Sequence, residues 1–447
     1  MRRVLVANRG EIALRILRAC ADEGLETVLA VSEADVDSLP AALADRVVRI
    51  GPAPAAQSYL DVNRIMAAAT LTGCDAIHPG YGFLSERPEL PEACEAEGVA
   101  FVGPSAKAMR EAGDKATARA LARSLGVPVG AGSDIVADEA QAAAAAAAVG
   151  YPVVLKAAAG GGGRGMRRVD SADELPAAFA TATAEAAQAF GDGRLFVERF
   201  VTHARHIEVQ VLADGDGGVV HLGERDCSLQ RRYQKLVEEA PAIGLDPGLR
   251  AAMHEAAVRL IGAVDYAGAA TCEFLVDRAR HTFGFLEINA RLQVEHPVTE
   301  MVTGVDVVRE QLRIAGGAPL SFTQADVALR GHAIEVRVNA EDPDRDFAPT
   351  PGPVERWAAP VGSAVRVDSA CFPGWRVPPH YDSLLAKVIA AGRDRAGALG
   401  RMRHALDHLR VAGVSTTAPF VRAVLDHPDV VAGGVSTRWL EDVYLGR

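Results

Sequence analysis

One short segment narrows the folding options sharply: Phe285-Leu-Glu-Ile-Asn-Ala-Arg-Leu-Gln-Val-Glu295. Side chains alternate across a β-strand. Read that way, Glu287, Asn289, Arg291, Gln293 and Glu295 share one face, and Ile288, Ala290, Leu292 and Val294 share the other. The apolar face belongs to a core. A solvent-facing strand would give the same polar face, so its meaning depends on a partner. Thr271-Cys-Glu-Phe-Leu-Val276, followed by a turn near Asp277 to Thr282, supplies one as a hairpin. A symmetric turn about Arg280 sets Glu273 opposite Glu287, with side chains about 5 Å apart; a register one residue off spoils the pairing. Two carboxylates at that separation repel unless a cation lies between them, and two acids with an amide suit Mg²⁺ carrying phosphate oxygens.

The surroundings read as α/β. Val4 to Ala7, Ile12 to Cys20 and Thr27 to Val31 form a βαβ opening, whose turn Asn8-Arg-Gly-Glu11 lacks the GxGxxG of a dinucleotide fold. Alternation continues to about Gly113, with a helix over Ala116 to Leu125 and a strand over Tyr151 to Ala157. From about Val197 strands dominate: Ile207 to Leu212, Val219 to Leu222, Thr271 to Val276 and Phe283 to Val294. A Pro-rich stretch, Phe347 to Pro353, precedes more strands and closing helices. With 447 residues, 49% of them apolar, the chain has material for several cores.

Composition excludes several functions. A net charge of −11 argues against a nucleic-acid groove, which needs clustered positive charge. Six scattered cysteines without a CxxC pair read as reduced thiols of a cytoplasmic protein. The apolar run before Arg9 is too short for a secretory signal, and the longest apolar tract, Ala142 to Val149, cannot span a bilayer. Serine-hydrolase elbow, HExxH and Walker P-loop patterns are missing.

The basic residues are informative in another way. Only five of 47 are lysines: Lys107, Lys115, Lys156, Lys235 and Lys387. Codon bias produces such a skew, yet lysine is retained where a compact ammonium is needed and a planar guanidinium does not fit. Lys156 ends a strand just before Gly160-Gly-Gly-Gly-Arg-Gly165, a loop between strands whose N–H groups can fold over phosphates or simply flex. A capping box, Ser171-Ala-Asp-Glu174, then opens a helix. Lys115 lies in the first turn of a helix, where a cation is disfavoured unless an anion is shared with the N-terminus. Either lysine alone reads equally as a surface residue; with the glycine loop they suggest a triphosphate site. His206 reads either as a ligand or as an edge residue of its strand.

Ala7 to Ala13, His78 to Glu86, Lys156 with its glycine loop, the stretch EINARLQVEHPVTE from Glu287 to Glu300, Arg337-Val-Asn-Ala-Glu-Asp-Pro343 and Pro378 to Ser383 closely resemble the biotin carboxylase component of biotin-dependent acyl-CoA carboxylases, of the ATP-grasp superfamily. The resemblance covers nearly the whole chain in order. It implies an N-terminal α/β domain over 1–113, an ATP-grasp domain over 114–316 with a lid at about 130–200, and a mixed sheet-and-helix C-terminal domain over 317–447. It implies that ATP and bicarbonate carboxylate biotin through carboxyphosphate. Lys115, Lys156, Gly162, Gly163, Glu198, Arg199, Phe200, Val201, His206, Gln230 and Tyr233 match positions around ATP, and Glu273, Glu287 and Asn289 match ligands of Mg²⁺ or Mn²⁺. Arg291, Gln293 and the Val294 backbone match the bicarbonate site with Lys235 nearby, Glu295 the base, and Arg337 the group stabilising the biotin enolate.

The family pattern also implies a homodimer and a carboxyltransferase partner. The chain holds no Met-Lys dipeptide, so biotin is expected on a separate carrier protein or a further segment. Tyr233 and Ala290 depart from commoner His and Thr, and the glycine run has four members rather than five. Two other readings remain: a different ATP-grasp ligase that passes an acyl phosphate to an amine, and an inactive nucleotide-binding scaffold.

Overall fold

Short apolar strands alternating with amphipathic helices favour a parallel sheet, and the first third of the chain builds one. The computed structural model describes residues 1–158 and 166–446. Strands β1 (Arg3–Val6), β2 (Glu26–Ser32), β3 (Arg46–Gly51), β4 (Ala76–His78) and β5 (Ala100–Phe101) pair in the order β3-β2-β1-β4-β5, all parallel. Helix α1 (Gly10–Asp22) buries Ile12, Ala13, Ile16 and Leu17 against this sheet. The Asn8 amide donates to the carbonyls of Pro79 and Tyr81 at 2.6 and 2.8 Å, closing two sequence-distant motifs onto each other.

Helix α2 (Lys115–Ser124) is capped by Asp114, whose carboxylate accepts from the Thr117 amide at 2.7 Å. A separate antiparallel sheet follows, made of β6 (Gly132–Val136), β7 (Val153–Ala157), β8 (Met166–Val169) and β9 (Leu195–Arg199) in the order β6-β9-β7-β8. Helices α3 (Glu139–Val149) and α4 (Leu175–Phe190) cover it through Ala142, Ala146, Ala182 and Ala186. The Gly160 to Gly165 loop, with Gly162 and Gly163, lies outside the described residues. The capping box does not form: a 3₁₀ turn over Ala172–Glu174 precedes α4, and Glu174 accepts from the Asp170 amide at 3.0 Å. Pro176, which has no N–H to satisfy, starts the helix instead.

The largest sheet has eight strands: β10 (Ala204–Asp214), β11 (Val219–Arg231), β12 (Gln234–Ala240), β13 (Ala267–Asp277), β14 (Thr282–Asn289), β15 (His332–Asn339), β16 (Val365–Ser369) and β17 (Leu384–Gly392). Their order is β14-β13-β10-β11-β12-β15-β17-β16, antiparallel throughout. Helix α5 (Pro247–Gly262) packs Met253, Ala257 and Leu260 on Val209, Val211 and Phe274. Helix α6 (His296–Thr303) crosses near the middle, and α7 (Arg395–His408) covers the far half through Leu399 and Met402. Two strands differ from the sequence reading. The one expected over Val219 to Leu222 continues to Arg231, and the one expected over Phe283 to Val294 ends at Asn289. Residues 290–294 turn into α6, which Pro297 starts, so Arg291, Gln293 and Glu295 project from a loop and not from a continued strand face.

Two β-bulges determine which side chains share the sheet's polar face. Between β13 and β14 the turn centres between Ala279 and Arg280, one register step away from the symmetric pairing. Skipping Leu286 then restores Glu273 opposite Glu287. Between β11 and β12, Leu229 pairs with Val237 but Gln230 pairs with Lys235, leaving Leu236 extra. Leu236 and Val237 both sink into the core under α7, which turns Lys235 and Glu238 together to the opposite face.

β12 and β15 are hydrogen-bonded neighbours, so this sheet runs across the 316/317 division. At that seam Glu238 stands opposite Glu335, and both are fully buried. Neither Glu335 oxygen has a hydrogen-bond partner. Burial pushes its carboxyl well above the usual range; Lys387 and Arg337 pull it back, and Glu238 and Glu295 push it further up. The folded state therefore keeps a proton that the unfolded chain releases above its ordinary value of 4.5. Stability falls as pH rises from there toward the raised value, by at most about 1.4 kcal/mol per pH unit from this group. Glu335→Gln, which cannot ionise, is expected to flatten that fall in chemical denaturation between mildly acidic and mildly alkaline pH. Equal slopes in both proteins would contradict the account.

Candidate active site

The polar face of the large sheet closes around one ammonium. Lys235 Nζ donates to Glu208 Oε2 and Glu295 Oε1, both at 2.6 Å, to Glu273 Oε1 at 3.3 Å and to Gln293 Oε1 at 3.4 Å. Burial lowers the lysine pKa, and Cys227, Glu208, Glu273 and Glu295 outweigh it, holding the group well above its ordinary value and charged. Arg225, fully buried on β11, donates Nε to Glu208 Oε1 at 2.6 Å and Nη1 to Gln210 and Thr299. Buried charges persist only when paired in this way.

The hairpin places Glu273 opposite Glu287, with Asn289 two residues farther along the same face. His206 Nε2 lies 3.0 Å from Glu273 Oε2, and Lys115 Nζ lies 3.2 Å from Glu287 Oε2. Burial raises the Glu273 carboxyl, but Lys235 and His206 overcome it and leave the group well below the usual carboxylate range. Both acids thus face a positively charged or basic side chain, and the buried Asn289 Nδ2 has no partner. This hard-oxygen set fits a divalent cation such as Mg²⁺. Ligand atoms of His206, Glu208 and Glu273 also lie within 4.8 Å of one another.

The loop after β14 supplies the other groups. Arg291 Nε donates to Glu86 Oε2 at 2.9 Å and Nη2 to Asn289 Oδ1 at 3.0 Å. Gln293 Nε2 donates to Glu273 at 3.0 Å. Glu295, 2% exposed, receives Arg337 Nη2 on Oε2 at 2.9 Å, while Arg337 Nε donates to Glu238 at 2.5 Å. Burial would raise the Glu295 carboxyl; Lys235, Arg337 and Arg225 outweigh it and hold it well below the usual range. Burial pushes the Glu238 carboxyl up to about 7.

Around the expected nucleotide positions, Lys156 and Arg119 both bind the Glu198 carboxylate. Gln230 is buried and pairs in register with Lys235. Val201 is half-buried just after β9. Arg199 donates to the Val149 carbonyl at 2.5 Å, and Phe200 lies beneath the Arg168 guanidinium at 4.6 Å, so these two side chains do not join the cluster. Tyr233 sits 42% exposed at the tip of the β11–β12 hairpin with a φ of 65°.

Sequence reasoning missed Arg119, Glu208, Arg225, Glu238 and Glu86. Two had a signal: Arg119 follows Lys115 by one helical turn, and Glu208 shares a strand face with His206. The others meet the site only through long-range pairing.

Models of known families match the chain in sequence order. Residues 1–109 match "Biotin carboxylase, N-terminal domain", residues 114–323 "Carbamoyl-phosphate synthase L chain, ATP binding domain", and residues 335–442 "Biotin carboxylase C-terminal domain". A biotin carboxylase of Nostoc sp. is 50% identical over 442 residues, covering 99% of each chain. The biotin carboxylase of Campylobacter jejuni, solved as a β-γ-ATP complex, superposes with a TM-score of 0.96 at 45% identity, covering 98% of each chain. The dimeric biotin carboxylase domain of Hydrogenobacter thermophilus 2-oxoglutarate carboxylase, solved with MgADP, ADP and bicarbonate, gives 0.95 at 44%, covering 99% of this chain and 97% of that one.

The centre makes a stability prediction. Lys235→Met leaves Glu208, Glu273 and Glu295 without their shared cation, and breaking a buried pair on one side costs about 3–5 kcal/mol. Urea denaturation at neutral pH is expected to show a loss of that size. A loss below about 1 kcal/mol, the scale of a surface pair, would mean that the cluster is solvated.

Proposed function

The chain belongs to the biotin carboxylase family, and on that premise we propose how its own residues carry out ATP-dependent carboxylation of biotin, the first half-reaction of a biotin-dependent carboxylase. The reading rests on one observation above all: the single carboxylate of Glu295 is held by Lys235 on one oxygen and Arg337 on the other, beside the Glu273–Glu287 pair.

Lys115 and Lys156, with the glycine loop, bind the phosphates of ATP, and Gln230, His206 and the 198–201 segment line the nucleotide. Glu273, Glu287 and Asn289 hold Mg²⁺ or Mn²⁺, which when bound neutralises the phosphoryl oxygens under attack. Arg291, Gln293 and the Val294 N–H orient bicarbonate, with Lys235 beside it. Glu295 takes the bicarbonate proton. In the resting site its basicity is suppressed by Lys235 and Arg337; an incoming anion competes for those cations and raises its proton affinity. Once protonated, Glu295 holds Arg337 less strongly. That frees the Arg337 Nη2 hydrogen bond for the ureido oxygen of biotin, where charge develops when carboxyphosphate breaks down to CO₂ and phosphate and that phosphate takes the proton of the ureido nitrogen. Exclusion of water from the site protects carboxyphosphate.

The chain is a ligase-type carboxylase. No helix among the described residues is long and apolar enough to cross a membrane, and all six cysteines are buried and unpaired. The chain works, in this reading, as a cytoplasmic homodimer alongside a biotin carboxyl carrier protein or domain and a carboxyltransferase subunit, which selects the acyl-CoA acceptor.

The test is ATP hydrolysis by the purified protein. It is expected to require bicarbonate and free biotin together and to stop on chelation of the metal. Glu295→Gln is expected to lower kcat by about 10²–10⁴-fold, the range for loss of a general base, with MgADP binding retained. Hydrolysis that ignores bicarbonate but responds to an amine acceptor would favour a different ATP-grasp ligase.

A further inference from the structure

Of the five lysines, the nucleotide and bicarbonate sites account for Lys115, Lys156 and Lys235, and Lys107 is exposed on the surface. Lys387 remains. It lies on β17 opposite Arg337 and is fully buried. Its Nζ donates to the Val294 carbonyl at 2.9 Å and stands 3.2 Å from Glu11 Oε1 and 3.8 Å from Asp368 Oδ2. Glu11 comes from α1 of the N-terminal sheet and also accepts from Tyr81 Oη; Asp368 comes from β16.

The Val294 carbonyl belongs to the 290–294 loop, which makes no sheet pairing. The preceding carbonyl, that of Gln293, accepts from the His296 amide at 3.3 Å and from His296 Nδ1 at 2.7 Å. A carbonyl only accepts, so Nδ1 carries the hydrogen. Burial, together with Lys387, Arg15 and Arg366, holds that imidazole well below its ordinary pKa and neutral. Both peptide oxygens flanking Val294 are therefore pinned by buried donors. With those oxygens fixed, the directions of the Val294 N–H and of the Gln293 and Glu295 side chains are fixed as well.

We propose that Lys387 is a positioning residue of the reaction: its ammonium, through the Val294 carbonyl, holds the 290–295 loop in the shape that presents the Val294 N–H, Gln293 and Glu295 to bicarbonate. The inference rests on the reading of that loop as the bicarbonate cradle. The geometry explains why lysine stands here in a chain that otherwise uses arginine. Three oxygens converge on one point in a fully enclosed space, which suits a compact ammonium and not a planar fork. Glu11 and Asp368 compensate the buried charge.

A purely structural role would make Lys387 only the cation that ties Glu11 to the C-terminal strands. Full-length Lys387→Met, Lys387→Arg and Glu11→Gln separate the two. Bicarbonate- and biotin-dependent ATP hydrolysis is measured for each, with MgADP affinity and Tm alongside. Lys387→Met is expected to raise the KM for bicarbonate about 10- to 100-fold, the usual effect of losing a group that orients a ligand-binding residue, with MgADP affinity little changed. Lys387→Arg is expected not to rescue it. Glu11→Gln keeps the ammonium-to-carbonyl bond and is expected to lower Tm while leaving that KM near the original. An unchanged bicarbonate KM in Lys387→Met overturns the proposal; if that variant does not fold, the same result in Lys387→Arg does so. It is equally overturned if Glu11→Gln raises the KM as much as Lys387→Met. Absence of bicarbonate-dependent hydrolysis in the unaltered protein counts instead against the functional reading.

Discussion

The ammonium of Lys235 organises the molecule's polar interior. It meets carboxylates from three places: Glu208 on β10, Glu273 on β13 and Glu295 at the start of α6. Around them Arg225 and Arg337 supply further positive charge, so that opposite signs alternate across the sheet face. Such an arrangement is a costly way to stabilise a protein, since apolar side chains of similar volume would often do as well or better. Its use, in the proposed reaction, lies in what it sets: carboxylates for a metal ion, and a base whose proton affinity depends on what else is bound.

The same cluster separates carboxyl groups of one chemical type. Glu273 and Glu295 sit next to cations and stay ionised, whereas burial raises the carboxyls of Glu238 on β12 and Glu335 on β15, with Glu295 pushing both further up. A few ångströms of sheet thus carry acids of very different strength without any change of residue. The difference comes from the balance of burial against charge: cations outweigh burial at Glu273 and Glu295, whereas burial outweighs Arg337 at Glu238 and Lys387 at Glu335.

Much of this could be read before any coordinates, and the reasons for success and failure are physical. The β13–β14 hairpin is local, so alternation and turn length were enough to bring Glu273 and Glu287 together. The pairing arises differently from the expected symmetric turn, through a one-step shift cancelled by the Leu286 bulge. Bulges leave little trace in an alternating pattern, which is why the union of Lys235 with Glu238 by way of Leu236 was invisible. The alternation overstates the strand because Ala290, Leu292 and Val294 continue the apolar period after the backbone has left the sheet; Ala290 and Leu292 are buried by loop packing, and Val294 only half so. Arg225 needed strand order, which the chain specifies only when all eight strands are in place. Lys387 was marked by the rarity of lysine, but its contact with Val294 links residues 93 positions apart.

The seam between β12 and β15 bears on how such a protein can evolve. Each half of the large sheet completes the hydrogen-bonding edge of the other, and the acid pair Glu238–Glu335 is buried only because both halves are present. A gene rearrangement that exchanged the last third of the chain for a foreign segment would have to match a strand register and a buried charge balance simultaneously. The small sheet of β6 to β9, by contrast, is self-contained, with its own core. Inheritance should therefore treat the central and final thirds as one indivisible unit while leaving that small sheet freer to drift.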